Sequence, residues 1–142
     1  MSAWRSRASS AQGLAALAFF ASRLVYRLAL DVGLDMSPLH YFLQFLDPVY
    51  LERDLLRSVM SLHHQAPLLN LVVGVALKLF GRGAFFALDV GFLALGLAAT
   101  VALADVLRQL GVGRWLAAGA GVVWALSPGV VLYQAWLFYP HL

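Results

Sequence analysis

The chain of 142 residues contains no cysteine. Disulfides, thiolate metal sites and a cysteine nucleophile are therefore excluded, while the compartment stays open. Charge is scarce too: Asp, Glu, Lys and Arg make up 12% of the residues, against roughly 25% in a soluble domain. The charges are also segregated, with none in 8–22, 58–77 or 90–104 and none after Arg114. A helical span needs about 20 predominantly apolar residues, and these runs have that character. With 62% hydrophobic residues and a mean hydropathy of +0.80, the composition is that of an integral membrane protein. The net charge of +3 sits on basic residues at the ends of apolar runs, where they anchor and orient helices. It does not mark a nucleic-acid surface.

Further absences narrow the chemistry. Alternating apolar and polar residues, the mark of an outer-membrane barrel, are missing. "GRG" (81–83) and "GVGR" (111–114) lack the spacing of a phosphate-binding loop. There is no HExxH pattern and no serine in a nucleophile elbow. Internal repeats and low-complexity linkers are absent as well.

What is present is four apolar segments, 14–34, 67–80, 84–107 and 115–138. Lipid cannot satisfy backbone polar groups, so an open chain crosses it as helices. The expected fold is all-α and membrane-integral: about four hydrophobic helices, with amphipathic juxtamembrane helices between the first and second. Residues 1–13 form a tail whose Trp4-Arg5-Ser6-Arg7 favours a cytoplasmic N-terminus. Phe19, Phe20 and Arg23 make a poor cleavage site, so the first segment reads as an uncleaved signal anchor. Residues 35–66 then form an external loop with interfacial helices. If all four segments cross, Lys78 and Arg82 lie inside while Arg108 and Arg114 lie outside. If the short segment 67–80 is re-entrant, Arg108 and Arg114 return to the cytoplasm. The sequence leaves both topologies open.

Within the first segment Arg23, Arg27, Asp31 and Asp35 follow at four-residue spacing, which places them along one drifting helix face. Arg27 and Asp31 are spaced to pair. Such residues line a bundle interior or wet cavity, or else the span ends early and the arginines snorkel to the interface. Between Val49 and Leu62, apolar Leu51, Leu55, Val59 and Leu62 oppose Arg53, Arg57 and Ser61. That is an amphipathic helix suited to lie flat on the membrane. Asp47-Pro48 opens it, in the residue types favoured at N-cap and first helical position. Asp47 has two readings, a helix cap and a general base at the membrane surface. His63 and His64 point about 100° apart on a helix, so they are poor joint metal ligands.

These pieces resemble the N-terminal module of GT-C membrane glycosyltransferases, in the protein O-mannosyltransferase and aminoarabinose-transferase-like group. The motifs are "DPVYLERDLLRSVM" from Asp47, "APLLNLVVGVALKLFG" from Ala66 to Gly81, and "ALSPGVVLYQAWLFYP" from Ala125 to Pro140. The resemblance puts Asp47 in the position of the catalytic acid of the first external loop. It implies transfer of a sugar from a polyprenyl-phosphate donor to an acceptor hydroxyl on the non-cytoplasmic face of the inner membrane, with Asp47 removing the acceptor proton. Candidate groups for the donor phosphate and its cavity are Arg23, Arg27, Arg53, Arg57, His63 and Gln65. The aminoarabinose-transferase branch has Glu-Lys before its proline, for metal and phosphate contacts; this chain has Gln65-Ala66. A divalent metal is therefore not supported by the motif, and His63-x-Gln65-x-Pro67 is similar to a short-loop branch instead. Family members are several times longer, so the resemblance implies a piece of a longer polypeptide that is inactive alone. The rival is a small non-enzymatic multi-pass protein, a helix-bundle subunit or assembly partner. For it, Ala117, Ala118, Gly119, Ala120 and Gly121 supply a small-residue packing face.

Overall fold

A computed structural model describes residues 2–41, 46–61 and 67–136 of the chain. Its elements are α1 (Ser2–Ala29), α2 (Pro38–Tyr41), α3 (Pro48–Arg53), α4 (Leu55–Met60) and α5 (Pro67–Phe80), then a 3-10 turn (Gly81–Gly83), α6 (Ala84–Gln109), α7 (Arg114–Leu126) and α8 (Pro128–Ala135). The described residues form no strand; their one bridge pairs Asp35 with Trp136.

Proline sets where helices begin. Pro38, Pro48, Pro67 and Pro128 are the first residues of α2, α3, α5 and α8. Proline's fixed φ suits that position, and the N–H it lacks would have had no partner there. Left-handed residues set several ends. Gly111 (φ 85) follows α6, where Val112 N–H donates to the Leu107 carbonyl at 3.0 Å and Gly111 N–H to Arg108 at 3.1 Å. This is the paired bonding of a Schellman cap.

The chain divides into two compact units. The first holds Met1–Gly33 and Leu93–Ala135. In it α1 packs along α7 through small residues: Ala11, Ala15, Ala104, Ala117, Ala118 and Ala125 are buried. At Gly121 a Cβ would stand 2.8 Å from the Ala15 Cβ and 3.6 Å from that of Ala104. Absence of a side chain there lets the backbones approach. The small-residue face expected on 117–121 is thus used within the chain, with Gly119 exposed. Gln12 Nε2 and Gln109 Nε2 donate to the two oxygens of Asp105, at 2.8 and 2.7 Å.

The second unit holds Leu34–Phe92 and Trp136–Leu142. Its core joins Leu51, Leu55 and Val59 of α3 and α4 to Val73, Ala76 and Leu77 of α5, with Leu39, Ala84 and Leu88. Gly74 meets Leu55 so closely that any side chain would collide. Leu51, Leu55 and Val59, the described part of the apolar face expected on 49–62, therefore pack on α5, while Leu62 lies outside the described residues. What α3 and α4 expose instead includes Val49, Tyr50, Leu56 and Met60.

Element boundaries differ from the sequence reading in four places. The helix expected from 14 begins at Ser2 and ends at Ala29. Asp31 adopts φ 52, so Asp31 and Asp35 lie beyond the helix that carries Arg23 and Arg27. The amphipathic helix is split at Asp54, whose φ of −141° and ψ of 69° leave the helical region. Segments 67–80 and 84–107 are continuous through the 3-10 turn. Their joint run, Pro67–Gln109, is the one helix among the described residues long and apolar enough on its own to cross a membrane, with 43 residues and a mean hydropathy of 2.1. Segment 115–138 contains α7 and α8, bent by 51° at Ser127-Pro128, because Pro128 has no N–H to continue the ladder.

Candidate functional site

Asp47 caps α3. Its ψ of 129° is extended, as required of a residue before proline. Oδ1 accepts the Val49 N–H at 2.8 Å, satisfying one donor that a helix start leaves free. The carboxylate is exposed, and Oδ2 meets no donor among the described residues. One oxygen thus caps the helix while the carboxylate as a whole stays exposed. Arg53 ends α3, Arg57 lies in the last turn of α4, and both side chains are exposed. Ser58 Oγ donates to the Tyr50 carbonyl at 3.3 Å, bridging the break at Asp54. Asn70, fully buried on α5, accepts the Leu46 N–H at 2.9 Å and ties the chain just before Asp47 to the core.

Arg23, in the first unit, is placed differently. It is 7% exposed, whereas Arg27, one turn on, is exposed. Arg23 Nε donates to Gln134 Oε1 at 2.6 Å, and Nη1 to Ser22 Oγ at 3.0 Å and to the Ala125 carbonyl at 2.9 Å. Its Cζ lies 4.5 Å from the centre of the Phe19 ring. The Ala125 contact has a plain cause. Carbonyls in the last turn of α7 lose their partners at the Pro128 break, and a cation at a helix C-terminus also meets the negative end of the dipole. Arg23 therefore joins α7, through Ala125, to α8, through Gln134. Gln134 in turn packs directly on Gly96, where any side chain would collide with its amide.

His63 and Gln65 lie outside the described residues. Among the described ones, no three or more His, Asp and Glu side chains gather to hold a metal ion. Sequence reasoning did not single out Ser22, Gly96, Asn70 or Gln134. Gln134 left a readable signal, a polar amide in a stretch with no charge after Arg114, and polar groups within spans are rare and purposeful. No family model matches the chain, and neither does any curated protein or solved structure.

Proposed function

We propose that this chain belongs to a multi-pass membrane glycosyltransferase of the GT-C type. In this reading it takes a sugar from a polyprenyl-phosphate donor and passes it to an acceptor hydroxyl on the non-cytoplasmic side. The reading rests first on the motifs around Asp47, Pro67 and Pro128. The observation that carries it is the Asp47 carboxylate, exposed at the start of a surface helix with one oxygen bound to the Val49 N–H and the other open. A carboxylate held that way accepts a proton from an acceptor hydroxyl as the sugar is transferred. Arg23, Arg27, Arg53 and Arg57 are the candidates to offset charge on the departing lipid phosphate, with His63 and Gln65 as further candidates to line the phosphate cavity.

The membrane part of the reading has four hydrophobic helices, a cytoplasmic N-terminus and an external 35–66 segment. It is supported by how little of the apolar surface the chain covers itself. Only 11% of the most apolar window of Pro67–Gln109 is buried, and Leu17, Leu28, Leu68, Leu95, Leu116 and Val123 stand exposed. Apolar area on that scale needs lipid or a partner.

The test is sugar transfer from a polyprenyl-phosphate donor in membranes that hold the protein. Asp47→Asn is expected to lower transfer about a hundredfold or more, and Asp54→Asn, at the following helix start, to leave it unchanged. Full transfer by Asp47→Asn would refute the catalytic role of Asp47; no transfer above that of membranes lacking the protein would favour a non-enzymatic helix-bundle subunit.

A further inference from the structure

Arg23 is a cation buried in an apolar unit with no carboxylate against it among the described residues. A guanidinium has five N–H donors. Nε uses one on Gln134, and Nη1 uses two on Ser22 and the Ala125 carbonyl. The two on Nη2 meet no acceptor among the described residues, although Nη2 is shielded from solvent. The Phe19 ring and the carbonyl end of α7 offset part of the charge. Neither supplies a full negative charge. A buried charged donor without an acceptor is costly.

We infer that the Nη2 edge of Arg23 is a binding point for a phosphate group, whose oxygen accepts the remaining N–H donors. As the source of that phosphate the inference rests on the polyprenyl-phosphate donor reading, and it singles out Arg23 among the candidate cations. Arg53 and Arg57, outside the apolar segments, are exposed, where water and salt weaken an ion contact. Arg23 is also held ready. Gln134 is seated on Gly96 and fixes Nε, while Ser22 and Ala125 fix Nη1. The planar fork is therefore oriented before the anion arrives, which lowers the ordering cost of binding. Because Nη2 is shielded, an anion reaches it when the packing over it loosens. Satisfying the unpaired donor favours that opening.

The experiment measures binding of radiolabelled polyprenyl phosphate to the full protein in detergent micelles, with polyprenol and inorganic phosphate as separate arms. Arg23→Met removes the cation. Gln134→Glu keeps the shape but puts a carboxylate in the seat beside Nε, neutralising Arg23 from within and keeping the fold testable should Arg23→Met not fold. Each folded variant is expected to bind polyprenyl phosphate about tenfold or more weakly, with polyprenol binding unchanged. Displacement by inorganic phosphate would identify a site for the free anion; failure to displace, with the variants still weakened, identifies the lipid-linked one. Parent-like affinity in Gln134→Glu overturns the inference, as does a parent protein that binds neither phosphate. If Asp47→Asn still abolishes transfer in that case, only the phosphate site has failed. If Asp47→Asn transfers normally while Gln134→Glu loses the lipid, only the glycosyltransferase reading has failed.

Discussion

Asparagine caps a helix about as well as aspartate, and this allows the two roles of Asp47 to be separated. Asp47→Ala is expected to destabilise the protein by about 1 kcal/mol through the lost bond to the Val49 N–H. Asp47→Asn should leave thermal unfolding nearly unchanged while still losing sugar transfer. Equal unfolding losses in the two variants would show that more than capping is at stake in the fold. The two glycines of α7 give a pair of opposite signs. Gly121→Ala pushes a methyl to 2.8 Å from the Ala15 Cβ and is expected to cost about 1–3 kcal/mol. Gly119→Ala enters open space and should stabilise by about 0.5–1 kcal/mol through helix propensity. Thermal unfolding in detergent, followed by circular dichroism, separates them; equal shifts would show that the α1–α7 contact is loose. Local spacing places Arg23 and Arg27 on one face but does not say which is buried. That depends on Ala125 and Gln134, more than a hundred positions away.

Helix starts were legible because proline and its cap act locally. Asp47-Pro48 and Pro67 begin helices where the sequence reading puts them. Breaks were less so. Asp54 has no turn residue beside it, and its departure from helical geometry accompanies the packing of both Leu51 and Leu55 near Gly74. That packing is a tertiary demand, invisible to periodicity. Gly81 and Gly83 read as punctuation, yet the 3-10 turn they form joins two helices into one run. At the α7–α8 break, Pro128→Ala restores an N–H and is expected to draw the two helices toward continuity. The Gly129 amide would then donate to the Ala125 carbonyl in place of Arg23, and its hydrogen exchange should slow. Unchanged exchange at Gly129 would show that Arg23, and not the missing N–H, holds the bend.

The described residues form helices and no strand, as the apolar segments implied, and their run Pro67–Gln109 is long and apolar enough to cross a membrane. Whether the apolar segments cross a bilayer, and how often, is a matter of sidedness, which a chain without cysteine makes easy to measure. A membrane-impermeant maleimide applied to intact cells should label Glu52→Cys. Ser2→Cys should label only after permeabilisation. Val112→Cys, between Arg108 and Arg114, reports on the continuous Pro67–Gln109 run: one crossing from an external 35–66 segment puts it inside, and labelling in intact cells would show that the run turns back at the 3-10 turn. Labelling of Ser2→Cys in intact cells would reverse the orientation.

The prolines at helix starts bear on how firmly the two candidate sites are aimed. The residues before Pro48 and Pro128 are kept out of helical geometry, as the ψ of 129° at Asp47 and 125° at Ser127 record. Each therefore has few torsions open to it and sets the direction in which the following helix leaves. Asp47 is thus both the proposed base and the residue that aims α3, which ends at Arg53. Ser127 does the same for α8, which carries Gln134. Both candidate sites sit at or next to a backbone position that proline restricts.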